Sequence, residues 1–175
     1  MSNIANAAGL VPIPDAYGCL KTKIMDKSAS STEGLWINSP YLASGGYAVS
    51  VGEGAAASLS GSVVCLRNAE GKPVSYLAPT DLGEVEGTFD AKQRFRMYMD
   101  ENHYAVADSG KSYSLTDETA TATSPTSLRM LDSSTEAATD GQLIVTGKIR
   151  KQNNDAGAAY TEVECYIDGD LFVQA

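Results

Sequence analysis

A single histidine and three cysteines in 175 residues remove whole classes of chemistry from consideration. With one imidazole, and with Cys19, Cys65 and Cys165 far apart and lacking a C-x-x-C pair, neither a zinc site nor a disulfide framework is expected. The three cysteines are read as small buried hydrophobes. Long apolar runs are also missing: no stretch approaches the ~18 residues that a membrane span needs. The N-terminus has neither the basic n-region nor the apolar h-region of a secretion signal, so synthesis in a reducing cytoplasm is expected, with no membrane partner. Basic residues are scarce, 13 against 22 acidic ones, giving a formal net charge of −9 and a pI near 4.5. That balance argues against nucleic acid, because its binders recruit Lys and Arg to neutralise phosphates. The densest basic group, Lys148, Arg150 and Lys151, is read as facing water.

Catalytic signatures are equally thin. His103, the only imidazole, lies in the polar stretch Asp100-Glu101-Asn102-His103-Tyr104, which reads as a solvated loop. There is no G-x-S-x-G elbow, no H-E-x-x-H and no Walker A sequence. Gly52-Glu53-Gly54 carries Ala57 where a strict dinucleotide fingerprint has its third glycine, and no βαβ pattern surrounds it, so it reads as a turn. The acidic pairs Glu84 with Glu86, and Asp117 with Glu118, lack calcium-loop spacing and read as surface carboxylates. No cofactor or metal is expected, and enzyme is the weaker class.

What is present is strand periodicity. In Arg94-Phe95-Arg96-Met97-Tyr98-Met99-Asp100, Phe95, Met97 and Met99 alternate with polar residues, the period of a half-buried strand. Val163, Cys165 and Ile167 alternate likewise, which points Glu162 and Glu164 outward. Residues 62–66, a turn at 68–71 and residues 74–77 read as a hairpin. Residues 142–150 read as a strand with a bulge at Gly147, and Asp168-Gly169 as a two-residue turn into a final strand. Helical periodicity is absent, apart from room for one short turn within 80–87. A mainly β fold follows, a compact barrel or sandwich forming a single domain over 19–175.

Two stretches escape that pattern. Residues 109–141 hold 14 Ser or Thr in 33 positions, and so little apolar surface predicts a long, partly ordered loop excursion. Residues 1–18 carry Leu10, Val11, Pro12, Ile13 and Pro14, where the two prolines delete amide donors and hold the chain extended. An extended arm is expected, with apolar side chains free to enter a partner's groove. An arm, a β scaffold and no site chemistry describe a protein that works through its surface. One alternative is sugar binding through exposed aromatics, for which Trp36 and Tyr41 are the candidates.

The segment Ala5-Asn6-Ala7-Ala8-Gly9-Leu10-Val11-Pro12 resembles the A-N-x-x-G-L-x-P start of a family of tailed-bacteriophage virion proteins, structural or head-decoration (cement) proteins. Gly61-Ser62-Val63-Val64-Cys65-Leu66 is similar to that family's G-D-x-V-x-L strand, with Ser62 in place of the Asp, and Val145-Thr146-Gly147-Lys148-Ile149 to a later strand. The stretch from Ala159 to Ile167, followed by Leu171-Phe172, is similar to its A-x-V-E-V-x-I-N-x-H-L-F ending, with Asp170 in place of the His. The resemblance implies a β-tulip-like body that assembles on the outside of an icosahedral capsid as a homotrimer, with the major capsid protein as partner and the virion exterior as location. Leu10, Val11, Pro12, Ile13 and Pro14 are then the expected capsid contacts, and a tail or fibre-base component is the alternative.

Overall fold

The alternation found in the sequence becomes a mainly β structure closing on two apolar cores. A computed structural model describes residues 8–28, 33–51, 58–100, 105–137, 141–152, 154–156, 159–169 and 172–173. The strands are β1 (Val11–Ile13), β2 (Thr22–Lys27), β3 (Leu35–Trp36), β4 (Pro40–Ser44), β5 (Tyr47–Ser50), β6 (Gly61–Asn68) and β7 (Pro73–Val74). They continue as β8 (Tyr76–Leu77), β9 (Gly83–Thr88), β10 (Arg94–Tyr98), β11 (Ser112–Leu115), β12 (Leu131–Ala137), β13 (Leu143–Lys148) and β14 (Glu162–Ile167). A single 3-10 turn, Val106–Asp108, is the only helical element among the described residues.

The first unit is a closed barrel. Its strands run β4-β5-β2-β9-β6, and β6 returns to β4 through Pro40↔Ser62 and Tyr41↔Gly61, so the ring has no free edge. A five-stranded ring encloses little space, and Met25, Tyr41, Ala43, Ala48, Val63, Leu66 and Val85 fill it. Tyr41 crosses the interior and donates its hydroxyl to the Thr88 carbonyl at 2.8 Å, which satisfies its buried polar end. Gly87 makes room for that ring: a Cβ there would lie 2.4 Å from Tyr41 Cε1.

The second unit is the sheet β1-β10-β14-β13-β11-β12, antiparallel throughout. Its inner face carries Phe95, Met97, Tyr113, Leu115, Leu131, Leu143, Val145, Val163, Cys165 and Ile167, the two predicted alternations included. The far ends meet where Met99 bridges Leu131 and the Asp100 amide donates to the Leu131 carbonyl at 3.0 Å. The bulge foreseen at Gly147 is present, as a register shift between Val145 and Gly147 against β14.

Several expectations are corrected. The Ser/Thr-rich excursion is not a loop throughout, because β11 and β12 lie within it and place Tyr113, Leu115 and Leu131 in the core. The irregular part shrinks to residues 116–130. There Glu118 accepts from the amides of Leu128 at 2.9 Å and Ala120 at 3.0 Å, and the Arg129 guanidinium pairs with Glu33 at 2.7 Å. Three ionic or carboxylate contacts order backbone that lacks a hydrophobic payload. The room for a helical turn within 80–87 is taken by β9, and the hairpin after 68–71 is shorter than expected, since Tyr76 and Leu77 leave β6 to pair with β3. Of the expected final strand only residues 172–173 are described, and there Phe172 makes an isolated parallel bridge to Leu59.

Within the expected arm 1–18, the described residues 8–18 are not free of the domain. Val11–Ile13 pair with β10 in the register Val11↔Arg96, Pro12↔Phe95 and Ile13↔Arg94, and Leu10 is 0% exposed inside the second core. Residues 1–7 lie outside the described residues. Truncating a buried Leu removes transfer energy and leaves a cavity, so Leu10→Ala is expected to destabilise the chain by about 2–5 kcal/mol, read as a lowered urea midpoint at unchanged slope. Wild-type stability in that variant would show that the segment is dispensable to the fold.

Candidate functional site

The segment singled out as a contact arm is fixed from both sides. Gly9 has a φ of 68°, and a Cβ there would stand 2.4 Å from the Asn38 carbonyl oxygen and 2.8 Å from Ser127 Cβ, so only glycine fits. Asn38 itself has a φ of 63°, a conformation that asparagine tolerates, and turns its carbonyl towards the Leu10 amide at 2.8 Å. The Leu10 carbonyl in turn accepts from the Ser62 hydroxyl. Leu10 is thus held by its side chain, its amide and its carbonyl.

Beyond Leu10 the segment surfaces gradually. Val11, Pro12 and Ile13 are half-buried at the outer edge of the second sheet, where a missing amide at Pro12 is tolerated because, among the described residues, no strand pairs on that side. Pro14 is exposed, and the following turn is closed by Asp15, whose carboxylate accepts from the amides of Tyr17 at 2.9 Å and Cys19 at 2.8 Å. Tyr17, at the tip, is 91% exposed. Of the five expected contact residues, Leu10 is withdrawn because it is core, three are half-covered by their own sheet, and only Pro14 is offered freely. Tyr17 was missed: the turn that presents it depends on Asp15, an ordinary turn residue with no apolar signal.

Charges pack along the outer face of β10 and β14. Arg94 pairs with Glu164, Arg96 with Glu162 at 3.7 Å, and Lys151 with Glu162 as well as with the Tyr98 hydroxyl at 3.0 Å. Glu162, expected to face water, is 4% exposed beneath these cations. Of the basic trio expected to face water, Arg150 and Lys151 are exposed, although Lys151 also pairs within the chain, while Lys148 is half-buried and donates to the Asn154 carbonyl at 2.7 Å. A cleft of about 240 Å³ beside this network is lined by Ala8, Gly9 and Val11.

The other candidates disperse. Trp36 and Tyr41 are buried, Trp36 stacking on Tyr76 with ring centroids 4.5 Å apart and donating its indole N–H to the Thr121 carbonyl at 2.9 Å. Neither presents a face to a sugar, which removes the sequence basis for glycan binding. Glu118 organises its own loop, accepting from the Ala120 and Leu128 amides. His103 and the Gly52–Gly54 turn lie outside the described residues. Among the described residues there is no group of three His, Cys, Asp or Glu side chains placed to share a metal ion. Comparison with family models, with curated proteins and with solved structures finds no match for this chain.

The cysteines divide by environment, correcting the expectation that all three are buried. Cys165 lies in the second core, and burial followed by the nearby Glu164 charge pushes its thiol well above the ordinary range; Cys65 is half-buried and Cys19 exposed. Thiolate, not thiol, reacts, so a disulfide reagent on the native chain should modify Cys19 quickly, Cys65 slowly and Cys165 only on unfolding. Equal rates for all three would contradict the burial described here.

Lys21 pairs with Asp90 at 2.6 Å, and that bond, with the Lys92 amide at 2.9 Å, holds the Asp90 carboxyl below the ordinary aspartate value of 3.8. A depressed folded-state value contributes stability that is complete above the unfolded value and drains away as pH falls through the folded one. Asp90→Asn should therefore be less stable than wild type at about pH 6, with the difference closing towards about pH 2. A difference that persists in acid would assign the loss to packing instead.

Proposed function

We propose that this chain is a non-enzymatic structural protein of a tailed-phage particle. It decorates the outside of an icosahedral shell and stabilises it by bridging neighbouring major capsid subunits, as a self-associated trimer on the virion exterior. The observation that carries this reading is the meeting of the segments through which the resemblance runs. Gly9, Leu10 and Pro12 form a plug and edge strand; the plug is clasped by Ser62 of β6, and the edge strand lies on β10, whose other neighbour is β14, itself paired with β13. Residues scattered over the sequence, from Gly9 to Ile167, thus meet in one part of the fold, as the resemblance would have them do.

The physical logic is linkage. A protein that binds several shell subunits only when they are correctly spaced adds its binding free energy to the assembled state. A β scaffold with its own two cores suits that task, because it presents a rigid surface without ordering cost. The contact surface moves outward from the original expectation: Pro14 and Tyr17, on the turn beyond β1, replace Leu10.

Particles assembled with and without the protein, imaged by cryo-electron microscopy, test the reading. Added density repeating over the shell lattice supports decoration, whereas density confined to a vertex or tail indicates a tail or fibre-base component. Tyr17→Ala is expected to weaken retention on capsids about tenfold while leaving the unfolding midpoint unchanged, as loss of an exposed aromatic anchor does. Removing residues 1–7, which keeps Leu10 in place, is the truncation that separates contact from folding. Full retention in both variants would overturn the assignment of this end to the interface.

A further inference from the structure

Among the described residues, large hydrophobic side chains are exposed at four positions, and three of them share one face of the closed barrel. Ile24 is 62% exposed, Leu82 64% and Tyr47 49%. Tyr47 and Leu82 line a cleft of about 520 Å³ together with Asp26 and Glu84. Ile24 borders the adjoining groove with Glu84 and Glu86. Period-two alternation along β2 points Ile24 and Asp26 the same way, so cleft and groove form one surface.

The strand register sharpens its chemistry. Across this face a row runs Tyr47, Asp26, Glu84, Arg67, with a second row of Ile24, Glu86 and Cys65 beside it. Asp26 and Glu84 stand directly opposite on neighbouring strands, an arrangement of like charges that costs stability. Neither has an ion-pair partner among the described residues; Arg67, opposite Glu84, makes none with it. Glu86 accepts only the Thr22 hydroxyl, at 2.7 Å. The other cation of the cleft, Lys27, is turned inward: its side chain is buried and its ammonium donates to the carbonyls of Ser28 at 3.1 Å, Pro79 at 2.7 Å and Asp81 at 3.4 Å. Lys27 therefore ties down the turn that presents Leu82 rather than neutralising the carboxylates.

We propose that this face is a docking surface for a segment of another protein in which Lys or Arg alternates with apolar side chains. A basic side chain of that segment sits over the Asp26–Glu84 pair, relieving its repulsion, and an apolar neighbour enters the cleft between Tyr47 and Leu82. Charge complementarity selects this occupant: three carboxylates and one cation face outward around an apolar centre, in a chain whose own net charge is −9. Within the chain, Arg94, Arg96 and Lys151 already pair with Glu162 and Glu164 on another sheet, and Lys148 donates to the Asn154 carbonyl, so these four are not free to serve as the counterpart. The inference stands apart from the capsid reading, because it fixes the partner's chemistry and not its identity.

The test titrates the full chain, isotope-labelled, with the synthetic peptide Arg-Leu-Lys-Leu-Arg and with a control in which every basic residue is Glu. Amide shifts are expected at residues 24–27, 47 and 82–86 with the basic peptide alone, weakening as salt rises. D26N/E84Q, which removes charge at nearly constant shape, and Leu82→Ser, in the cleft wall, should each reduce affinity tenfold or more with the remaining spectrum intact. No shifts on this face, equal binding of the acidic control, or unchanged affinity in D26N/E84Q would overturn the proposal. So would sedimentation showing that the chain alone forms oligomers that D26N/E84Q dissolves, since the occupant would then be a second copy.

Discussion

The insertion of Leu10 between the two halves of the molecule is the constraint around which the N-terminal region, the first barrel and the second sheet are arranged. Its side chain belongs to the second core, while its amide and carbonyl are bound by Asn38 and by Ser62 of the first barrel. Val51 and Leu59 reach the same core from the chain that links β5 to β6. One apolar residue with both of its backbone groups satisfied can sit at the boundary without a desolvation penalty. Gly9 and Asn38, both in left-handed backbone, exist to bring it there.

Much of the molecule was legible from side-chain period. The strands around Phe95, Met97 and Met99 and around Val163, Cys165 and Ile167 were visible because each buries one face and wets the other. The Gly147 bulge was visible because a glycine interrupted an otherwise apolar run. Where that signal failed, the reason lies in what burial can use. Strands β11 and β12 are written largely in Ser and Thr, several of whose hydroxyls find partners: the Thr135 hydroxyl accepts from the Ser114 amide at 2.9 Å and donates to the Asp132 carbonyl at 2.7 Å, and the Ser133 hydroxyl donates to the Asp100 carboxylate. Composition marks such a segment as a partly ordered loop, yet a strand needs only alternate apolar residues, and Tyr113, Leu115 and Leu131 were enough.

The contact surface was the least legible part, and for a related reason. Leu10, Val11 and Ile13 looked superfluous to a domain whose strands lay elsewhere, because no local pattern announces that a tripeptide will pair with a strand more than eighty residues away. Apolarity alone does not distinguish a residue kept for a partner from one kept for the core. The surface features that do stand out depended on register, the coincidence of Asp26 with Glu84 above all, and register between β2 and β9 is invisible until the barrel closes. Glu162 is the converse case, a carboxylate on the outer face that Arg96 and Lys151 cover from above.

Pro12 has a consequence for how such a molecule can associate. The first barrel is a closed ring, the β12 side of the second sheet is drawn towards β10 at Met99 and Leu131, and the opposite side ends on a strand with no amide at its middle residue. A ladder of backbone bonds from one copy to the next therefore finds no edge on the closed ring and an interrupted one at β1. Association through β1 is left to side chains, whose contacts respond to salt and geometry and can be undone, whereas a continuous backbone ladder is the start of a fibre.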